Sequence, residues 1–170
     1  MESMTKLGWM MNRLAATLSK IIIVYLLLVA PAFAGTYWVD PSGGEGTWAN
    51  CEGADPGAGS RCALSLALTS VTAGDTVNLM SGDYDYGIII SNISGTAENK
   101  ITFQAGSGQT PVIKNAGNNE LGSGDYDYYY SLALYNQCDY FVFDGITFEH
   151  QSGIRFVGIL NKSDYNEIQN

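Results

Sequence analysis

The hexapeptide SGDYDY occurs twice, at residues 81–86 and 123–128, and the second copy runs on into Tyr129 and Tyr130. Each copy sets two carboxylates one residue apart, Asp83 with Asp85 and Asp125 with Asp127. Such oxygen donors suit Ca²⁺, and the interleaved tyrosine rings suit stacking on sugar faces. The same residues also make chain corners, with Asp and Gly turning the backbone and Tyr packing outside it. Binding is favoured in the second copy, because residues 116–131 (AGNNELGSGDYDYYYS) interrupt the surrounding pattern as a projecting loop. Tyr126, Tyr128, Tyr129 and Tyr130 are therefore candidate carbohydrate-binding residues, and Asp125 and Asp127 are candidate ligands for Ca²⁺, the one cofactor the sequence raises. Arg155 joins the binding set because it alternates with Ile154 and Phe156 and so is expected on the outward side of a strand, where a solvated role competes.

Other reactive groups are few. The single histidine, His150, follows Glu149; one imidazole cannot fill a zinc site, nor can a triad be argued from neighbours in sequence. Past residue 34 the basic residues are Arg61, Lys100, Lys114, Arg155 and Lys162. A Lys or Arg base needs burial or a nearby cation to lower its pKa, and no such pairing is visible. Catalytic residues stay unassigned.

The first 34 residues place Lys6, Arg13 and Lys20 ahead of an apolar run at 21–30 and an Ala32-Phe33-Ala34 exit. This predicts a secretory signal peptide over 1–34, with Met10 or Met11 as an alternative start. The run is too short to span a bilayer. A secreted, periplasmic or extracellular protein is expected, with no membrane partner once the signal is removed. Lys6, Arg13, Lys20 and Glu2 leave with it, so five basic and sixteen acidic residues remain, a net charge of −11. So acidic a chain repels nucleic acid, whose binding needs Lys and Arg on phosphates. A polyanionic sugar would need a bridging cation or a local basic patch.

The elements that position these groups follow from repeats. Residues 132–145 (LALYNQCDYFVFDG) and 157–170 (VGILNKSDYNEIQN) match at a shift of 25, with Asn136, Asp139 and Tyr140 recurring as Asn161, Asp164 and Tyr165. Upstream, a shift of 24 lays Val77 on Ile101, Leu79 on Phe103 and Gly82 on Gly106, with Ile88 and Ile89 on Val112 and Ile113. Brief period-2 runs between Gly, Asn, Asp and Ser are half-buried strands, two per unit, and so short a unit buries its apolar side only by stacking on a copy of itself. A leucine-rich repeat lacks its leucines here. A propeller needs blades of roughly 40 residues, and the step from Ile101 to Phe141 has that length; we read it as one coil carrying the inserted 116–131. The fold expected is all-β, a right-handed parallel β-helix (solenoid) with a short N-terminal capping α-helix.

Residues 36–40 (TYWVD) form the expected first strand, and Leu64, Ala67, Leu68 and Val71 one face of a helix over about 63–73, closed by Gly74. The domains expected are a signal peptide at 1–34, a strand, Cys loop and capping helix at 35–74, and coils over 75–170, divided at 75–98, 99–131, 132–156 and 157 onward. Cys51 and Cys62 bracket a Gly- and Pro-rich loop and are expected to form a disulfide. Cys138, matched by Ser163, is read as a buried, unpaired spacer. Asn136 and Asn161 are expected to stack in an amide ladder at equivalent turns.

The order GTYWVDPSGG, amphipathic helix, AGDTVNLMSGDY, ISGTAENKITFQAG, DYFVFDGITFEH resembles the N-terminal part of secreted right-handed parallel β-helix proteins of the pectate-lyase-like superfamily, in particular its alginate lyase, chondroitinase B and pectate lyase branches. The resemblance covers 36–170. It implies an extracellular polysaccharide as partner and β-elimination on a uronate polymer, in which a basic residue removes the proton α to a carboxylate neutralised by Ca²⁺ or Arg. No catalytic motif of those lyases matches here, so the catalytic coils are expected beyond residue 170, with missing C-terminal coils or a second copy covering the open end. Hydrolysis is second to elimination, and a non-catalytic surface or adhesion module is the competing class.

Overall fold

Short runs that alternate apolar and polar residues make the chain mostly strand, in three parallel sheets with one helix. The computed structural model describes residues 34–44, 46–114, 120–121, 128–149, 154–160 and 163–169, all within one unit, Phe33–Asn170. The first sheet orders β1 (Thr36–Val39), β2 (Thr76–Leu79), β5 (Ile101–Ala105), β9 (Phe141–Asp144) and β12 (Glu167–Gln169). The second holds β3 (Gly82–Tyr84), β6 (Pro111–Ile113) and β10 (Thr147–Phe148). The third holds β4 (Ile88–Ser91), β8 (Tyr128–Tyr135) and β11 (Ile154–Leu160), with β7 (Glu120–Leu121) antiparallel to β8. From Thr76 on, the chain visits the first, second and third sheets in turn as β2-β3-β4, β5-β6-β8 and β9-β10-β11, then re-enters the first as β12.

The shift of 25 is the register of two sheets: Leu132 lies beside Val157 and Phe143 beside Ile168. The step of 40 is also a direct pairing, Ile101 with Phe141 and Phe103 with Phe143. The shift of 24 is corrected to 26, with Val77 beside Phe103 and Leu79 beside Ala105. Both offsets are even, so both keep the same residues facing inward, and apolar pattern alone cannot separate them. Backbone bonds at the strand entry choose 26: Thr102 N donates to Asp75 O at 2.8 Å and Gly106 N to Leu79 O at 2.9 Å. Nor do Ile88 and Ile89 lie on Val112 and Ile113. They pair with Leu132 and Ala133, while Val112 and Ile113 pair with Asp83 and Tyr84. Each pass through the three sheets thus carries three strands rather than two, and β8 ends the second pass instead of opening a unit at residue 132.

Inward side chains from the three sheets meet in one core that includes Val77, Phe103 and Phe143 from the first, Ile113 from the second and Ile90 and Leu134 from the third. The helix α1 (Leu64–Ser70) is shorter than expected; Leu64, Ala67 and Leu68 are buried, and it packs beside β4, the edge of the third sheet. It ends at Val71 rather than at Gly74. Gly74, with φ of 93°, instead sits in the turn in which Asp75 N donates to Thr72 O at 3.1 Å.

Cys51 and Cys62 form the expected disulfide, with Cα atoms 5.8 Å apart and both residues fully buried. It fastens the loop to β1, since Cys62 N donates to Trp38 O at 2.9 Å and Asp40 N to Cys62 O at 3.1 Å. Arg61 closes the same loop, placing Nε and Nη2 on the two Asp55 oxygens at 2.8 and 2.7 Å and Nη1 on Asp40 at 3.3 Å. The guanidinium's hydrogen bonds hold the Asp55 carboxyl down to about 2. Replacing both cysteines by alanine should cost roughly 2 to 3 kcal/mol. Denaturant unfolding of the variant beside the oxidised protein measures this, and coincident curves would refute it.

Cys138 is a buried free thiol, its Sγ 3.1 Å from Tyr135 O, and burial pushes its pKa up. Its amide N donates to Ser163 Oγ at 3.0 Å, so the two matched positions are neighbours. Asn161 lies outside the described residues. Asn136 is instead seen beside Asn92, whose N donates to Asn136 O at 3.2 Å, and both have φ of 57°. Left-handed backbone is a second reason for asparagine here. Asn136→Ala should cost about 1 kcal/mol, while Asn136→Gly should melt near wild type if conformation is the cause. A glycine variant as damaged as the alanine one would instead favour the ladder.

Candidate functional site

In the first sheet, register partners share a face. Tyr37, Val39, Val77, Leu79, Phe103 and Phe143 are buried, so the residues between them face outward. Two outward rows result. One runs Trp38, Asn78, Gln104, Asp144, Gln169, and the other Thr36, Thr76, Thr102, Val142, Glu167. Five strands at about 4.8 Å spacing make each row roughly 19 Å long. The row is linked internally: Gln104 Nε2 donates to Asn78 Oδ1 at 2.9 Å, and Asn78 Nδ2 donates to Tyr37 O at 3.4 Å. Asn78 is only 5% exposed, so these bonds make it a support for Gln104, and the donors and acceptors left on the surface are those of Gln104, Asp144 and Gln169.

Aromatic rings bound the face. Trp38 is anchored by Nε1 donating to Gly53 O at 3.0 Å. At the corner leading into β9 and β12, Tyr140 and Tyr165 stack with centroids 5.0 Å apart and planes 6° apart. Both have left-handed backbone, φ 60° and 58°, so the shift of 25 repeats an unusual conformation as well as a residue type. Lys100, just before β5, reaches past β9 to pair with Glu167, which also accepts from Gln169 Nε2 at 2.9 Å. The Lys100 hydrogen bond, then that of Gln169, lowers the Glu167 pKa. The face therefore presents amides, carboxylates, hydroxyls and one paired ammonium between aromatic borders. That set suits a chain of hydroxyl-bearing rings, each about as long as the step from strand to strand.

Asp125, Tyr126 and Asp127, with His150 and Lys162, lie outside the described residues. Tyr128 and Tyr129 open β8, opposite Leu121 and Glu120 of β7. Arg155 falls beside Tyr130, and Ile154 beside Tyr129, so Arg155 and the tyrosine run, selected by separate arguments, are backbone neighbours. Tyr130 is only 4% exposed, which removes it as an open stacking ring. It is buried because, along β8, it alternates in phase with Leu132 and Leu134, both fully buried in the core. The first SGDYDY copy is not only a corner, since Gly82–Tyr84 is strand β3. Among the described residues no group of three His, Cys, Asp or Glu side chains could hold a metal ion, and no helix is long and apolar enough to cross a membrane.

Sequence reasoning missed Asn78, Gln104, Asp144 and Gln169. Their signal was positional: Asn78, Gln104 and Asp144 each follow a buried position of an aligned strand and Gln169 follows Ile168 in the same register, while residue type changes from each strand of the row to the next. Compared with protein-family models, with curated proteins and with solved structures, the chain matches none.

Proposed function

We propose that the three parallel sheets are the faces of a right-handed parallel β-helix, and that this exported chain of the polysaccharide-lyase type binds an extracellular polysaccharide along the outward face of its first sheet. The observation that carries this reading is the in-register row Gln104, Asp144 and Gln169, with Gln104 held by the buried Asn78. A repeating polar array complements a repeating ligand, and the aromatic borders add ring faces.

Elimination on a uronate chain, the reaction the resemblance implies, needs a base free of its proton. The described lysines do not suit that role. Lys114 Nζ lies 2.7 Å from Asp83 and 3.3 Å from Glu149, whose hydrogen bonds raise its pKa, and Lys100 is paired with Glu167. A protonated, paired ammonium is a poor proton acceptor. This pairing favours binding by these coils, and it equally supports the second reading, a non-catalytic surface or adhesion module.

Titration with alginate and pectate oligosaccharides, with Ca²⁺ present and chelated, should give saturable binding that Gln104→Ala and Asp144→Ala each weaken by roughly tenfold, Asp144→Ala without lowering the melting temperature. Equal affinity in wild type and both variants would remove this face. Incubation with either polymer should release no unsaturated product; release would overturn the binding-only assignment of these residues.

A further inference from the structure

A second concavity lies away from the outward face of the first sheet. The turn after β1, the start of α1 and the corner after β3 enclose a cleft of about 260 Å³. One wall is the first SGDYDY copy, whose Tyr84, Asp85 and Tyr86 all line it; Ser42, Leu64 and Ser65 stand opposite.

The two tyrosines divide their work. Tyr84 is 3% exposed, its hydroxyl 3.0 Å from Val39 O and 3.1 Å from Met80 O, so its phenol is committed to holding the wall. Tyr86 is 47% exposed and presents its ring to solvent at the cleft. The opposite wall is also fixed: Gly43 N donates to Asp40 O at 3.0 Å, and Ser42 donates through both N and Oγ to Asp40 Oδ1, with the Asp40 carboxylate held in turn by Arg61. Since Ser42 Oγ spends its hydrogen on Asp40, its lone pairs remain to accept from a ligand.

We propose that this cleft is a binding site for one ring of a neutral pyranose, stacked on Tyr86 and hydrogen-bonded through its hydroxyls to Asp85, Ser42 and Ser65. Size restricts the ligand, because the volume is just below the usual range of about 300–1,000 Å³ for drug-sized ligands and leaves room for a single ring. Chemistry restricts it further. A carboxylate and two hydroxyls beside an open ring face and the apolar Leu64 match an object with hydroxyls on its edge and C–H groups on its face. A quaternary ammonium wants several ring faces converging on it, and here one ring is open.

The test is saturation-transfer NMR and titration of the full chain with the methyl pyranosides of glucose, galactose and mannose, with tetramethylammonium as the competing probe. At least one glycoside should bind, Tyr86→Ala should weaken it by roughly tenfold, Asp85→Asn should weaken it several-fold, and Gln104→Ala should leave it unchanged. Tyr86→Leu, which retains apolar bulk without the aromatic face, covers the case in which the alanine variant does not fold. The proposal is overturned if no glycoside binds, if only tetramethylammonium binds, or if the Tyr86 variants bind as wild type does. Loss of polymer binding in Gln104→Ala with the glycoside site intact separates this site from that of the first sheet.

Discussion

Phe103→Ala should lower the unfolding free energy by about 3–5 kcal/mol, the largest effect expected of any single truncation here. Phe103 is fully buried in the first sheet, its ring 5.7 Å from Phe143 at 22° and 6.4 Å from Phe141 at 28°. Truncation removes the transfer free energy of the ring and leaves a hole. The hole cannot close, because hydrogen bonding to both flanking strands fixes their spacing at about 4.8 Å and the neighbouring rings are held from above and below. Phe103→Leu should recover most of the loss by refilling volume. A control lies in the same row of register: Val77, Phe103, Phe143 and Ile168 follow one another, yet Ile168 is 53% exposed. Ile168→Ala should cost under about 1 kcal/mol. Denaturant unfolding of the three variants reads the gradient, and equal costs at residues 103 and 168 would deny that burial within the stack sets stability.

That row also shows what the sequence could and could not disclose. The shift of 25 was legible because identity and alternation repeat together, and Tyr140 and Tyr165 are neighbours as residues, as conformations and as stacked rings. The upstream shift was legible only in parity. Moving Val77 from Ile101 to Phe103 keeps every inward residue inward, so the choice fell to backbone bonds at the strand ends, where Thr102 N donates to Asp75 O at 2.8 Å and Gly106 N to Leu79 O at 2.9 Å. The second sheet stayed hidden for a different reason: its strands are two or three residues long, too short to show alternation. Gly82–Tyr84 in particular lies inside SGDYDY and reads as a turn. The stretch 116–131 was read as an inserted loop, but residues 128–131 belong to β8, and of the tyrosines given its chemistry Tyr130, at least, is buried. The outward row of the first sheet was overlooked because Gln104, Asp144 and Gln169 share a position while the residue type changes from each strand to the next.

Asp75→Ala should cost about 3–4 kcal/mol, although this residue faces no candidate ligand. The GDTV segment was read as the start of a strand, and its carboxylate proves to be the tie among three separate parts of the chain. Asp75 is 1% exposed; Oδ1 accepts from Gly35 N at 2.9 Å, and Oδ2 accepts from Thr72 N at 2.8 Å and Thr72 Oγ1 at 3.1 Å. Gly35 enters β1 and Thr72 follows α1, while the backbone O of Asp75 receives Thr102 N of β5. Alanine would leave the buried Gly35 N–H without an acceptor, a full desolvation cost, whereas the more exposed Thr72 amide can recover water. Asparagine should rescue little, since one of its two termini is a donor and would face an N–H. Thr72→Val, which removes one hydroxyl and keeps the carboxylate, should cost under about 1 kcal/mol. Denaturant unfolding ranks the three, and amide exchange locates the damage: in Asp75→Asn, Gly35 or Thr72 should lose protection ahead of the core strands. Wild-type stability in Asp75→Ala, with Gly35 still protected, would show that β1 is held by its pairing with β2 and the disulfide alone.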